Sequence, residues 1–144
     1  MAEARYVVGI DLGTTNTVVA CADLSDQKRA RSRSSNGARI FDVEQQVSAA
    51  AVEARPLLPS SLYAPLLGED ERARRFIVGV HARARGAEVA GRLVSSAKSW
   101  LAHGGVDRTA DILPWGAGDA EESAEAREAS PRISPSDAQA TILA

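Results

Sequence analysis

Apolar residues gather first near the start of the chain. Tyr6 to Ile10 and Thr17 to Cys21 are short runs rich in β-branched residues, separated by a glycine-containing turn, and this predicts two antiparallel strands of a hairpin. A third strand is predicted at Arg39 to Val43. Between them "SDQKRARSRSSNGAR", residues 25–39, is polar, basic and serine-rich, the pattern of a long mobile loop with solvated charge. The prolines of "RPLLPSSLYAPLLG" forbid helix and favour extended segments and turns. From His81 to Ala102 alanine, leucine, valine and alternating charges predict helix, divided by Gly86 and Gly91 into two pieces. "GAGDAEESAEAREASPR", residues 116–132, is acidic and nearly devoid of large apolar residues, which predicts a linker or disordered loop. In "SPSDAQATILA", Ser134 as N-cap, Pro135 at the first helical position and Asp137 three residues after the cap predict the start of a helix. No internal repeat is present.

Composition narrows the class. At 144 residues with 44% hydrophobic content the chain is one ordinary domain, long enough for a core. Seventeen basic against 19 acidic residues give a net charge of −2, so no global field draws nucleic acid or anionic lipid, and neither is expected as a partner. No apolar run approaches the roughly 20 residues of a membrane helix. The start "MAEARYVVGID" has no signal-peptide core, and a cytoplasmic protein is expected. Cys21 is the single cysteine, which rules out an intrachain disulfide. It reads as a small buried hydrophobe on a strand, and His81 and His103 share no ligand spacing with it.

The chemistry lies in "VVGIDLGTTNTVVA", where the most hydrophobic stretch is broken by Asp11, Gly13, Thr14, Thr15 and Asn16. A tight turn of glycine and small hydroxyl residues lets successive backbone N–H groups point into one concavity, with the threonine hydroxyls as added donors. Such a nest suits phosphate. Asp11, at a strand end beside it, supplies a carboxylate where hydrated Mg²⁺ on nucleotide phosphates needs charge and an acceptor for its waters. The same residues also suit a plain hairpin whose Asp and Thr side chains satisfy the turn, and the short pattern leaves both readings open.

"GIDLGTTNT" resembles the first phosphate-binding hairpin of the heat-shock protein 70 (DnaK-type) chaperones, members of the actin and sugar-kinase ATPase superfamily. Further pieces follow in the family's order. "LLPSSLYAP" resembles the segment leading into the small upper subdomain, "VGVHAR" its G-x-x-A-K stretch, "VSSAKSW" its next helix, and "ISPSDAQATIL" is similar to the start of the following long helix. The resemblance covers most of residues 5–143, with the basic loop and acidic segment as insertions.

What the resemblance implies is an α/β, ribonuclease-H-like (actin/chaperone ATPase) fold, here incomplete. Residues 1–44 would carry the first phosphate hairpin and third strand of a three-stranded β-meander, 45–115 the upper subdomain, 116–132 the acidic flexible segment and 133–144 the start of a helix. Gly13, Thr14, Thr15 and Asn16 would cradle the β- and γ-phosphates of ATP or ADP, and Asp11 would act on Mg²⁺ through water. Arg83 aligns with a lysine that orients the attacking water in the family. Arginine keeps that charge but presents a broad planar fork in place of a compact ammonium, and Arg85 in "HARARG" is the neighbouring alternative. Lys98 and Trp100 match structural positions. No D-x-G-G-G-T-like second phosphate hairpin occurs in the 144 residues, nor any counterpart of the adenosine-binding stretch or peptide-binding domain.

The expectation is therefore an N-terminal fragment of a chaperone ATPase, inactive alone, with the first strand lacking a neighbour at one edge. Unfolded peptides and co-chaperones would be partners of the intact protein. A fragment of a sugar-kinase or actin-like ATPase, a truncated product without autonomous function, and a binding module using the basic loop are the alternative readings.

Overall fold

The computed structural model describes residues 4–25, 37–66, 69, 76–115 and 131–144. Strands β1 (Tyr6–Leu12) and β2 (Asn16–Asp23) form the predicted antiparallel hairpin, in register from Tyr6↔Asp23 to Leu12↔Thr17. β3 (Arg39–Phe41) pairs antiparallel with the other edge of β2, from Cys21↔Arg39 to Val19↔Phe41. It stops short of the predicted Val43. β4 (Val43–Ser48) and β5 (Ala51–Arg55) form a hairpin of their own, turned by Ala49 and Ala50. β6 (Leu58–Pro59) then returns to β2 through Thr17↔Leu58 and Asn16↔Pro59. Continuing β3 would bring Val43 opposite Thr17, the place Leu58 occupies, so the predicted strand is split by competition for one edge.

β7 (Ser61–Tyr63), β8 (Ile77–Val78), helix α1 (Val80–Glu88) and β9 (Leu93–Ser95) build a second unit. β7 lies between β8 and β9 in an antiparallel sheet, with Leu62 opposite both Val78 and Val94. Its residues are fully buried, which explains why "SLY" is extended without an alternating pattern. α1 packs across this sheet, and Ala82 joins Tyr63 and Ile77 in a small cluster. The predicted helix from His81 to Ala102 is corrected here: it is α1, then β9, then a short helix α2 (Ala97–Leu101). Gly86 does not divide it. A Cβ there would lie 2.5 Å from Leu93 Cδ1, so this glycine lets β9 approach the helix, while the reversal is made at Gly91, with φ 75°.

Helix α3 (Pro135–Leu143) begins as predicted, the Ser134 hydroxyl accepting from the Asp137 N–H at 3.0 Å and donating to the Asp137 carboxylate at 2.8 Å. Ile133, just before it, exchanges backbone hydrogen bonds with Leu113. The main core joins Leu62, Val94, Leu113, Ile133, Ala138 and Ile142, so α3 closes over the second unit. Half-buried Trp100 packs against that core and stacks on Trp115 at 4.9 Å, while Lys98 is exposed. Cys21 is half-buried on β2, less enclosed than expected. The architecture is mixed α/β with antiparallel sheets. Among the described residues no helix is long and apolar enough to cross a membrane. Apart from their ends, the basic loop and the acidic segment lie outside the described residues.

Candidate functional site

The turn between β1 and β2 is built from both sides of the chain. Gly13 is required by close approach: a Cβ would lie 2.3 Å from the Asn16 carbonyl oxygen, a backbone atom that cannot swing away. From β6 and β7, Ser60 reaches the turn three times. Its N–H donates to the Thr15 carbonyl at 2.9 Å, its hydroxyl donates to the Gly13 carbonyl at 2.8 Å, and the same oxygen lies 3.1 Å from the Thr17 hydroxyl. A serine hydroxyl has one proton, already given to Gly13, so Thr17 is the donor in the last contact. Thr17 and Ser60 are both buried.

The carbonyls of Gly13 and Thr15 are thus tied into the protein while the turn's donors are not. Among the described residues the N–H groups of Gly13, Thr14 and Thr15 make no hydrogen bond. Thr14 and Thr15 are exposed, and Asp11 stands exposed near the end of β1 beside them. Unpaired amides in an exposed turn favour an acceptor-rich ligand over an apolar one. Asn16, the last predicted contact, is half-buried and pairs with Pro59 at the start of β2. Among the described residues no three His, Cys, Asp or Glu side chains are grouped to hold a metal ion.

Arg83 and Arg85 part company on α1. The Arg85 Nε donates to the Glu69 carboxylate at 2.7 Å, and its terminal nitrogens bond Glu69 and Glu88. Those two carboxylates, Glu69 foremost, push the guanidinium pKa up, fixing an already permanent charge in a structural pair. Burial works against the Glu69 carboxylate most strongly, but the Leu66 N–H, the Tyr63 hydroxyl and Arg85 together outweigh it and hold its pKa below the ordinary value. Tyr63, the other end of the network, is raised by burial and then by its bond to Glu69. Arg83 is exposed, and among the described residues its side chain makes no ion pair or hydrogen bond. Of the pair, it is Arg83 that is available to a ligand.

Two residues that sequence reasoning passed over hold the site in place. One is Ser60, whose only local signal is a hydroxyl after Pro59 in a buried segment. The other is Gln45 of β4: its amide donates to the Leu57 carbonyl at 2.9 Å and accepts from the Val80 N–H at 3.2 Å. It fastens the start of α1 to the segment that braces the turn. Gly79 makes this possible, at φ 88° and with a would-be Cβ 2.7 Å from the Gln45 oxygen.

No protein-family model matches this chain, and no curated protein matches it.

Proposed function

We propose that this chain is the N-terminal part of a heat-shock protein 70-like ATPase domain, and that the turn at Gly13 to Asn16 binds the phosphates of ATP or ADP with Mg²⁺ held through water by Asp11. The observation that carries this reading is the division of labour in the turn: carbonyls engaged by Ser60, successive N–H groups and the threonine hydroxyls left free, and a carboxylate alongside. The antiparallel order β1-β2-β3 supports the ribonuclease-H-like portion of the proposal, and Arg83, exposed and unpaired among the described residues, supports the water-orienting assignment over Arg85. The bound nucleotide supplies the phosphoanhydride, and Mg²⁺ neutralises it. The chain's own groups donate hydrogen bonds to phosphate oxygens and accept them from the metal's waters. In the intact protein this site would drive a cycle of binding to unfolded peptides and co-chaperones.

A single nest offers a few charge-assisted hydrogen bonds of roughly 1.5–3 kcal/mol each, against an association cost of at least about 4 kcal/mol. Millimolar affinity follows for the chain by itself, with no turnover. The test is an NMR titration of the full chain with ATP–Mg²⁺. The Gly13, Thr14 and Thr15 amides should shift most, and Asp11→Asn should weaken the Mg²⁺-dependent component about tenfold, the size of one charge-assisted contact. Asp42→Asn, an exposed carboxylate outside the turn, should leave it unchanged. Shifts confined to other regions would remove the assignment, and micromolar binding with phosphate release would overturn the incomplete-site reading.

A further inference from the structure

Residues 57–61 are gripped along their whole length. In the middle, Leu58 pairs with Thr17 of β2, and Ser60 holds the carbonyls of Gly13 and Thr15. At one end the Leu57 carbonyl accepts from the Gln45 amide at 2.9 Å, and at the other the Ser61 carbonyl accepts from the Gly79 N–H at 3.1 Å. Gly79 also lies directly on Leu58, since a Cβ there would come within 2.8 Å of Leu58 Cδ1. The segment is a bar with the Gly13–Asn16 turn fastened to one side and the start of α1 to the other.

The chemistry at residue 45 is specific. Val80, the first residue of α1, has an N–H with no partner inside the helix, and Gly79 before it has no side chain to cap it. Gln45 supplies the cap from 35 positions upstream, its oxygen accepting from the Val80 N–H while its nitrogen donates to the Leu57 carbonyl. The carbonyl can only accept and the N–H can only donate, so the amide stands in one orientation, and the side chain must offer both functions at once. A carboxylate would meet the Leu57 carbonyl without a proton, and an ammonium would meet the Val80 N–H without a lone pair. Gln45 is 5% exposed, which shields both bonds from solvent.

Arg83 lies one turn into α1, its N–H donating to the Gly79 carbonyl at 3.1 Å. Side chains on a helix lean toward its N-terminus, so that of Arg83 leads back toward the end that Gln45 and Ser61 hold.

We infer that Gln45 is a positioning residue for Arg83: by tying Val80 to Leu57 it fixes the start of α1 against the turn, and so sets where the guanidinium stands relative to a phosphate bound there. Without that tie the helix start keeps the bond from Gly79 to Ser61 and can swing at a glycine whose φ is 88°. An arginine held in place contributes more to binding than one that must be ordered by the ligand. The inference rests on the phosphate-binding reading of the turn.

NMR titration of the full chain with ATP–Mg²⁺, following the turn amides and the Arg83 Nε–H together, is the test. In the parent both should move on one isotherm. Gln45→Met, close in volume and unable to make either bond, should leave Gly13, Thr14 and Thr15 as the amides that respond but weaken the affinity about tenfold, the same loss as Arg83→Ala. The two substitutions together should lose no more than either alone, to within about twofold, because each removes the same contribution. Gln45→Glu keeps the length and the acceptor for Val80 and removes only the proton given to Leu57. It should fall between the parent and Gln45→Met, and it carries the test if the methionine variant does not fold. A role in stability alone lowers the folded fraction without altering the response of the molecules that stay folded, and the folded-state signals separate the two. Turn amides that stay still in the parent would overturn the phosphate reading and this inference with it. Turn amides that respond while the Arg83 Nε–H does not, losses that multiply in the double variant, or parent affinity in Gln45→Glu would each overturn the positioning role alone.

Discussion

Ser60 and Gly13, 47 positions apart in the chain, are joined by a 2.8 Å hydrogen bond from the serine hydroxyl to the glycine carbonyl. With the Ser60 N–H on the Thr15 carbonyl, this contact anchors the β1–β2 turn to the segment entering the second sheet. Ser60 thus engages the carbonyls of Gly13 and Thr15, while the Gly13, Thr14 and Thr15 amides have no hydrogen bond among the described residues.

Ser60→Ala should therefore cost more than an exposed serine would. It removes the bond to Gly13 and leaves the hydroxyl of Thr17, 2% exposed, without its acceptor. A loss of about 1–3 kcal/mol is expected, read as a lower urea midpoint at unchanged slope. A loss below about 0.5 kcal/mol would mean that the β1–β2 ladder holds the turn unaided.

Arg85→Ala and Arg83→Ala should separate cleanly in stability although they lie two residues apart. The first leaves the partly buried Glu69 without its cation and should cost about 1–2 kcal/mol. The second removes an exposed side chain with no ion pair or hydrogen bond among the described residues and should fall within about 0.5 kcal/mol of the parent. Thermal or urea unfolding of the two variants checks this, and equal losses would contradict the separation of roles on α1.

Glu69 gives the fold an acid-sensitive limb. Its folded pKa lies below its ordinary value of 4.5, so the unfolded chain binds the proton more readily. The stabilisation is fully present above the unfolded value and is lost as pH falls through the folded one. Urea midpoints of the parent should decline over roughly pH 5 to 3 more steeply than those of Glu69→Gln, which carries no titrating group there. Parallel curves would show that Glu69 contributes nothing to the decline.

Gln139 on α3 is 6% exposed, and among the described residues neither the oxygen nor the nitrogen of its amide has a hydrogen-bond partner. Methionine has similar length and no such demand, so Gln139→Met should stabilise the chain by about 1–3 kcal/mol. A decrease in unfolding midpoint would show that the amide does find a partner in solution.

Local rules carried the elements whose instructions are written in neighbouring residues. Short β-branched runs around a Gly-Thr-Thr turn specify the β1–β2 hairpin, and Ser134, Pro135 and Asp137 specify the start of α3, because the hydrogen bonds that form them lie within one hairpin or one helical turn. Asp11, Gly13, Thr14 and Thr15 were legible as a candidate site for the same reason: one turn brings them together.

What the sequence did not disclose depends on partners distant along the chain. The strand expected from Arg39 to Val43 is cut at Phe41 because Leu58 takes the place on β2 that Val43 would need. β9 interrupts an alanine-rich segment of good helix propensity because Val94 and Leu93 pair with the buried β7, and that burial outweighs a propensity of tenths of a kcal/mol per residue. No local pattern marks Ser60 as the brace of the turn, Arg85 as bound and Arg83 as exposed, or Gln45 as the tie to α1. The sequence by itself determined the turn that presents donors and the helix that Ser134 caps. Only the tertiary structure decided which edge each strand obtained and which polar groups remained free, since those are settled by competition among segments tens of residues apart.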